Sequence, residues 1–206
     1  MRVIKADDYQ TWFIEEDGFG VLIDPWLDKK LNPESSVLLQ RERQETSSLS
    51  QEELDQVKMV IVTAPFIDHL HIPSIKKLNN TVKIITTKKV RKILIKNQID
   101  NPIDCIDNQI IEMGPFKLSV FPAGFPYSWS AFCFFLENTA GKTIFHEGHK
   151  ANFRNLKRLN RKCDAVLITL DKVKFLGIMT LSMGPKEGFK TARLLDSKRI
   201  MATGTQ

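Results

Sequence analysis

The chain has few cysteines and no long apolar run, which argues against a disulfide-bonded secreted protein and against a membrane-spanning one. Its 206 residues include three cysteines, Cys105, Cys133 and Cys163, an odd number without CxxC spacing. Such a set fits a reducing cytosol better than a disulfide framework. No stretch approaches the roughly 18 apolar residues of a membrane span, and the opening MRVIKADDYQ lacks the apolar core of a signal peptide. We therefore expect a cytoplasmic protein with no membrane segment.

Tyrosine is also scarce, with two residues against thirteen phenylalanines. Because phenylalanine has no hydroxyl group to satisfy, most of this aromatic surface is expected to point inward. Hydrophobic residues make up 42% of the chain, which is enough for a substantial core. The length favours one domain over residues 1–206 rather than two small ones.

Positive charge is in excess, because 30 Lys and Arg residues stand against 24 Asp and Glu residues. The charge concentrates in two segments, 88–96 and 150–162. One interpretation is two solvated helix faces, and the other is attraction to anionic small molecules or nucleic acid. The first segment has no aromatic residue and so lacks the stacking platform by which proteins bind single strands. Nucleic acid is therefore the less favoured partner.

The pattern of apolar residues indicates strands in the N-terminal third and again after residue 108, with helices later in each half. Residues 59–63 and 165–170 are continuous apolar runs, which are typical of strands buried on both faces. Ser50 and Glu53 have capping-box spacing and predict the start of a short helix. Two sheets packed face to face and covered by helices are expected. The predicted strands are 1–5, 11–15, 21–24, 59–63, 82–86, 109–112, 116–122, 131–137, 143–145, 165–170 and 198–203, and the predicted helices start at 51 and cover 73–79, 87–97, 151–160 and 185–195.

All four histidines fall in two short runs, DHLH at 68–71 and HEGH at 146–149. Each run follows an apolar strand, where a sheet holds loop residues rigidly. Histidine and carboxylate side chains are ligands for Zn²⁺, Mn²⁺ or iron and also act as acids and bases. Spacing alone does not tell which members of each run point inward.

The run VIVTAPFIDH at 60–69 resembles the strand and signature loop of the metallo-β-lactamase superfamily, whose active members read T-H-x-H-x-D-H. Four further segments resemble elements of that family: GVLIDPW at 20–26, KTIFHEGH at 142–149, MGPKEGF at 183–189 and IMATG at 200–204. The resemblance covers most of the chain and implies a compact hydrolase of the α/β class. The implied fold is a four-layer αβ/βα sandwich.

The chain departs from the family pattern at most of the metal ligands. Ala64 and Phe66 replace the first two histidines of the signature loop, and no histidine occurs near 122–125. His149 occupies the position of the bridging aspartate, and Gly204 that of the last histidine. The resemblance therefore implies a degraded site, because the imidazoles of the first metal are missing.

The ligands that remain are Asp68 and His69, and His149 could substitute for the bridging aspartate of the family. Three ligands and a water would make a mononuclear site for one divalent ion, Zn²⁺ or Mn²⁺, whereas a two-metal mechanism is excluded. His71 and His146 are further candidate ligands. In this hydrolase hypothesis Asp68 contributes to catalysis, and Glu147 or His71 is the general base.

A metal-free alternative stays open. The two runs would then form a polar pocket for an anionic small molecule, with help from Lys150, or His69 with Asp68 would act as an acid–base pair. A third hypothesis is a nucleic-acid-binding or scaffolding protein, which the basic charge permits and the resemblance suggests, because some relatives in the superfamily process RNA or DNA. A homodimer is also expected, in which a second copy covers the edge of the strand at 198–203.

Two other groups have two interpretations each. Asp24, beside Trp26, either orients the metal loop or caps a turn. The loop residues Phe125, Tyr127 and Trp129 form either an apolar wall for a substrate or ordinary packing.

Overall fold

The fold is taken from a computed structural model, which describes residues 1–31, 41–42, 47–106, 110–170, 174–175 and 179–203. The chain divides into two compact units, Met1–Ile106 and Asp107–Gln206. Each unit is built around one six-stranded mixed sheet.

The first unit has a sheet with strand order β1-β2-β3-β6-β7-β8. β1, β2 and β3 form an antiparallel meander, and β3, β6, β7 and β8 run parallel. The turn between β2 and β3 places Asp17 and Gly18 at positive φ, a conformation that glycine adopts without strain. The strands are β1 Arg2–Lys5, β2 Trp12–Glu16, β3 Phe19–Ile23, β4 Lys30–Leu31, β5 Arg41–Glu42, β6 Val57–Ile61, β7 Lys83–Thr86 and β8 Ile103–Cys105.

Three helices connect the parallel strands of this unit: α1 Gln51–Asp55, α2 Ile72–Lys76 and α3 Lys88–Lys96. The predicted capping box is present at α1, where Ser50 and Glu53 bond reciprocally. In α3, Val90 and Leu94 are buried, so the apolar side of the helix packs on the sheet. Its Lys and Arg side chains are exposed, as expected for a solvated face: Lys88, Lys89, Arg91, Lys92 and Lys96.

The second unit has strand order β16-β13-β12-β11-β10-β9. β9 to β12 pair antiparallel, whereas β12, β13 and β16 are parallel. Its core is rich in phenylalanine, as expected, with Phe134, Phe135 and Phe145 fully buried. The strands are β9 Ile110–Met113, β10 Phe116–Pro122, β11 Phe132–Asn138, β12 Thr143–His146, β13 Ala165–Thr169, β14 Lys174–Phe175, β15 Met179–Thr180 and β16 Arg199–Thr203, and the helices are α4 Phe153–Leu159 and α5 Pro185–Leu194.

The α/β class expected from the sequence is confirmed, and every predicted strand and helix has a counterpart. Several bounds differ: the strand predicted at 59–63 spans Val57–Ile61, so Thr63 lies in the loop that follows. The short strand β8 and the hairpins β4–β5 and β14–β15 were not predicted. Residues 32–40 and 43–46, between the predicted strand 21–24 and the predicted helix at 51, lie outside the described residues, as does Gly204. The single-domain organisation stays a prediction.

Among the helices of the described residues, none combines the length and the apolar character that a membrane crossing needs.

Candidate functional site

The first histidine run lies at the carboxyl ends of two parallel strands in the first unit. β3 ends at Ile23 and β6 at Ile61, and these two residues are partners in the register. Asp24 and Thr63, which follow them, therefore meet at the same edge of the sheet. Polar side chains at such an edge are held by the sheet, as functional groups require.

The carboxylate of Asp24 connects this edge to the first histidine run. Its Oδ1 accepts the backbone N–H of Thr63 at 2.7 Å, and its Oδ2 accepts the Thr63 hydroxyl at 2.6 Å. The same Oδ2 lies 2.8 Å from Nδ1 of His69. Both side chains are buried, with 0% of Asp24 and 2% of His69 exposed. Of the two interpretations for Asp24, the structure supports the orienting one.

These contacts fix the tautomer of His69. An ionised carboxylate only accepts hydrogen bonds, so Nδ1 of His69 carries the proton that it shares with Asp24. In the neutral imidazole the lone pair then lies on Nε2. Nε2 is 3.8 Å from Oδ2 of Asp68. His69 therefore directs a basic nitrogen toward a second carboxylate.

Asp68 is held in place by two neutral donors from the segment before β2. Its Oδ2 accepts the Tyr9 hydroxyl at 3.2 Å and Nε2 of Gln10 at 3.1 Å. The Asp68 side chain is 22% exposed, whereas His69 is buried. Asp68 is thus the member of this group that solvent reaches.

His71 has a different environment from His69. Its Nδ1 lies 2.7 Å from the hydroxyl of Ser74, and that hydroxyl accepts the backbone N–H of Leu27 at 2.7 Å. Oδ2 of Asp28 is farther from the same nitrogen, at 3.9 Å. His71 therefore connects the start of α2 to the segment after β3, and its Nδ1 is occupied by a structural contact.

In the second unit, His146 is the last residue of β12 and is built into the sheet. Its ring stacks on the ring of Phe134, its partner on β11, with centroids 5.1 Å apart and an interplanar angle of 8°. Its Nδ1 accepts the backbone N–H of Gly148 at 2.9 Å. The lone pair of Nδ1 is thus engaged within the loop.

Glu147 is buried in the same loop and bonds to the backbone of a neighbouring strand. Its Oε1 accepts the N–H of Thr169, the last residue of β13, at 2.6 Å. Its carbonyl oxygen lies 2.9 Å from Sγ of Cys133. Burial is the main cause that raises the pKa of the Cys133 thiol, and the nearby charge of Glu147 adds to it.

His149 is half-buried and lies against the aromatic loop of the second unit. Its ring meets the Tyr127 ring edge-on, with centroids 4.2 Å apart. Tyr127 is buried and supports the packing interpretation, whereas Phe125 and Trp129 are 79% and 95% exposed. The Gly124 N–H donates to the carbonyl of Lys150 at 2.8 Å and holds this loop beside the histidine run.

The first unit thus brings Asp24, Asp68 and His69 together, and sequence reasoning had named all three. It had missed Tyr9, Gln10 and Thr63, because the polar contacts of these residues depend on long-range strand pairing. The expected convergence of His69 with His149 stays a prediction, since the contacts within each unit do not test it.

Comparisons with known proteins bear on these residues. Residues 4–204 match the family described as the beta-lactamase superfamily domain. The chain belongs to this superfamily. No curated protein matches the chain in sequence.

Solved structures of the superfamily fold agree with this assignment. An isothiocyanate hydrolase from Delia radicum gut bacteria is 20% identical, with a TM-score of 0.79 over 100% of this chain and 85% of that one. A "possible metal-dependent hydrolase" from Veillonella parvula is 19% identical, with a TM-score of 0.76 over 94% and 81%. Igni18, a metallo hydrolase from the archaeon Ignicoccus hospitalis, is 13% identical, with a TM-score of 0.71 over 99% and 82%. The metallo-β-lactamase type of α/β fold is confirmed.

The described side chains of the first unit do not by themselves make up the metal site that this superfamily implies. Across the described parts of the chain, no group of three or more His, Cys, Asp and Glu side chains is arranged to hold a metal ion. His69 and Asp68 supply two candidate ligands, one fewer than a catalytic zinc site uses. Oδ2 of Asp68 is moreover engaged by Tyr9 and Gln10. The orienting carboxylate of Asp24 is present, but within the first unit the ligand set that it would support has two members.

Proposed function

We propose that this superfamily member is a hydrolase with a degraded metal site, which holds at most one divalent ion and does not depend on it. The centre that does the chemistry is Asp24–His69–Asp68. The observation that carries the proposal is the buried contact of 2.8 Å between Oδ2 of Asp24 and Nδ1 of His69. It fixes Nε2 as the basic atom of the imidazole.

The proposed mechanism is general-base catalysis by His69. Nε2 takes a proton from a water molecule as the water oxygen bonds to the electrophilic carbon of the substrate, and the π electrons of that carbon's double bond move onto its heteroatom. The imidazolium then returns the proton to that heteroatom or to the leaving group, which restores the neutral imidazole. Asp24 stabilises the positive charge through its contact with Nδ1 and stays ionised throughout. The buried carboxylate of the catalytic triad in serine hydrolases acts in the same way. Asp68 adds a second negative charge 3.8 Å from Nε2, which favours the imidazolium further.

This arrangement favours an uncharged small-molecule substrate at His69, because two carboxylates flank the imidazole. An isothiocyanate, the substrate class in the name of one structural relative, is an uncharged electrophile of this kind. A phosphodiester is negatively charged and would be repelled. The two classes can therefore be told apart with chemical probes.

The test measures turnover of benzyl isothiocyanate, p-nitrophenyl acetate and bis-p-nitrophenyl phosphate by the full chain, with EDTA and with added Zn²⁺ or Mn²⁺. We expect turnover of the uncharged probes that EDTA leaves unchanged. His69→Gln should lower kcat about 100-fold or more, the usual range for loss of a general base. Metal analysis after loading should find less than about a tenth of an equivalent, since two ligands hold an ion weakly.

Asp24→Asn and Asp28→Asn form a matched pair for the tautomer. The amide that Asp24→Asn introduces has only one accepting atom, so His69 loses its fixed tautomer and kcat should fall by orders of magnitude. Asp28 lies 3.9 Å from His71 and pairs with Lys77, so Asp28→Asn should leave kcat unchanged. Activity that appears only with added metal, or that survives Asp24→Asn, would contradict the proposal.

A further inference from the structure

A cavity of about 420 Å³ lies in the second unit between α4 and the sheet. Strands β10 and β11 form its floor, and the end of α4 with the residue after its cap forms its wall. Its volume falls in the range of small-molecule sites, roughly 300–1,000 Å³. The residues that matter for its chemistry are Ser119, Phe121, Phe135, Asn155, Arg158 and Arg161.

The cavity lies on the opposite face of the sheet from His146. In the register, Ser119 pairs with Phe135, whereas Phe134 pairs with His146. Because successive side chains of a strand point to opposite faces, Phe135 faces away from the Phe134–His146 stack. The cavity is therefore separate from the second histidine run.

The floor of the cavity is apolar and rigid. The rings of Phe121 and Phe135 have centroids 5.8 Å apart, and both contact the ring of Phe145, the partner of Phe135 on β12. Phe145 is fully buried. Phe121 and Phe135 are only 8% and 1% exposed, so their rings support the floor from within the core. The apolar surface that a ligand would remove from water belongs to Leu159, which is 44% exposed, and to the half-buried Pro122.

Arg161 is held over this floor by three contacts. Its guanidinium pairs with Glu137, its Nη1 lies 3.3 Å from the hydroxyl of Ser119, and its Cζ lies 4.7 Å from the centroid of the Phe135 ring. A guanidinium has five N–H donors, and these contacts leave others for a ligand. A side chain already fixed in this way loses little freedom on binding.

Arg158 gives the cavity a positive excess. Glu137 balances the charge of Arg161, and Arg158 lines the cavity from the last turn of α4 with an exposed side chain. Asn155, one turn earlier on the same helix, adds an amide to the same wall. The cavity thus combines an aromatic floor with one uncompensated positive charge among its described neighbours.

We propose that this cavity binds a small amphipathic monoanion, a carboxylate on an aryl or medium-length alkyl body. The apolar body lies against Leu159 and Pro122 above the buried aromatic floor, and the carboxylate pairs with Arg158 and the remaining donors of Arg161. Arginine suits a carboxylate because its planar donors match the two oxygens. This site is independent of the chemistry at His69.

The test is calorimetric titration of the full chain with octanoate, and with octanamide, acetate and inorganic phosphate as probes of each part of the ligand. We expect octanoate to bind at least tenfold more tightly than octanamide, which has the same body without charge. Acetate and phosphate should bind more weakly still, because they lack the apolar body. Tenfold is the scale of one hydrogen bond to a charged group.

Arg158→Gln and Arg154→Gln are matched variants on one exposed face of α4. Arg158 lines the cavity and Arg154 does not, so only Arg158→Gln should weaken octanoate binding, by about tenfold or more. Both positions are exposed, and neither change should prevent folding. Equal loss in both variants, equal binding of octanamide, phosphate binding as tight as octanoate binding, or no binding up to millimolar octanoate would overturn the proposal.

Discussion

The two histidine runs have similar sequences but opposite surroundings. In the first unit, His69 lies between two carboxylates, those of Asp24 and Asp68. In the second unit, His146 stacks on Phe134 and accepts a backbone N–H through Nδ1. One imidazole thus shares its proton with a carboxylate and directs Nε2 toward a second carboxylate, whereas the other uses a lone pair to hold its own loop.

This difference shows that the residue types of a run do not decide its chemistry. A histidine serves as a base or a ligand only when its second nitrogen is oriented by a partner and its first is accessible. In the first run the orienting partner of His69 is Asp24, a residue 45 positions earlier in the chain. The second run is a structural turn in the contacts described, with Glu147 bonded to the backbone of β13.

The largest effect on stability should come from a substitution of Gly148, because the second run is a rigid turn. Gly148 has a φ of +68°, and a Cβ there would overlap the carbonyl oxygen of Phe132. Gly148→Ala combines the left-handed strain of about 1–2 kcal/mol with an overpacking cost of about 1–3 kcal/mol. We expect the free energy of unfolding, measured in urea, to fall by about 3 kcal/mol or more.

Gly141 is the control for backbone strain alone. It has a φ of +75°, but a Cβ there would meet nothing within 4 Å. Gly141→Ala should therefore cost only the left-handed strain, about 1–2 kcal/mol. Equal losses at the two glycines would show that the second run tolerates movement and would remove the contrast between the units.

Much of the fold could be predicted because local signals agreed with the final structure. The S-x-x-E spacing predicted the start of α1 at Ser50, and the apolar period of 87–97 predicted α3. β8 was missed because its three residues, Ile103–Cys105, include an aspartate and show no alternation. Its strand state depends on parallel pairing with β7, which is a long-range contact.

The candidate site shows the same limit. Asp68 and His69 could be named from a local motif, and Asp24 from its position before a proline. The contact from Tyr9 to Asp68 joins residues 59 positions apart, and nothing in the sequence around Tyr9 indicates it. The roles of His71 and His146 could not be predicted either, because their partners Ser74 and Gly148 look like ordinary helix and turn residues.

A smaller effect should separate structural from catalytic use of Glu147. Glu147→Ala leaves the N–H of the half-buried Thr169 without its acceptor, at a cost of about 2 kcal/mol in the free energy of unfolding. Glu147→Gln keeps an oxygen at that position and should recover most of the loss. Urea unfolding measures both variants, and a Gln variant as unstable as the Ala variant would show that the charge itself is required.

The smallest effect concerns the pH dependence of the free energy of unfolding that Cys133, packed under the second run, should cause. Its thiol lies against the carbonyl of Glu147, and burial raises its pKa, so the folded protein keeps the thiol protonated. The unfolded thiol ionises near its ordinary pKa of about 8.5. The unfolded state therefore binds fewer protons above that pH, and the stability due to the neutral thiol is lost as pH rises.

We expect this group to lower the free energy of unfolding by about 1.4 kcal/mol between pH 7.5 and 9.5. The upper limit lies one unit above the ordinary pKa of the thiol, and each such unit corresponds to about 1.4 kcal/mol. Cys133→Ser keeps a hydroxyl donor for the Glu147 carbonyl and removes the titration. Cys163, whose pKa burial raises to about 11, is present in both proteins and cancels. The wild type should therefore lose about 1.4 kcal/mol more than Cys133→Ser over this interval. Parallel losses in the two proteins would mean that Cys133 ionises in the folded state, and that the loop over it opens as readily as a solvated turn.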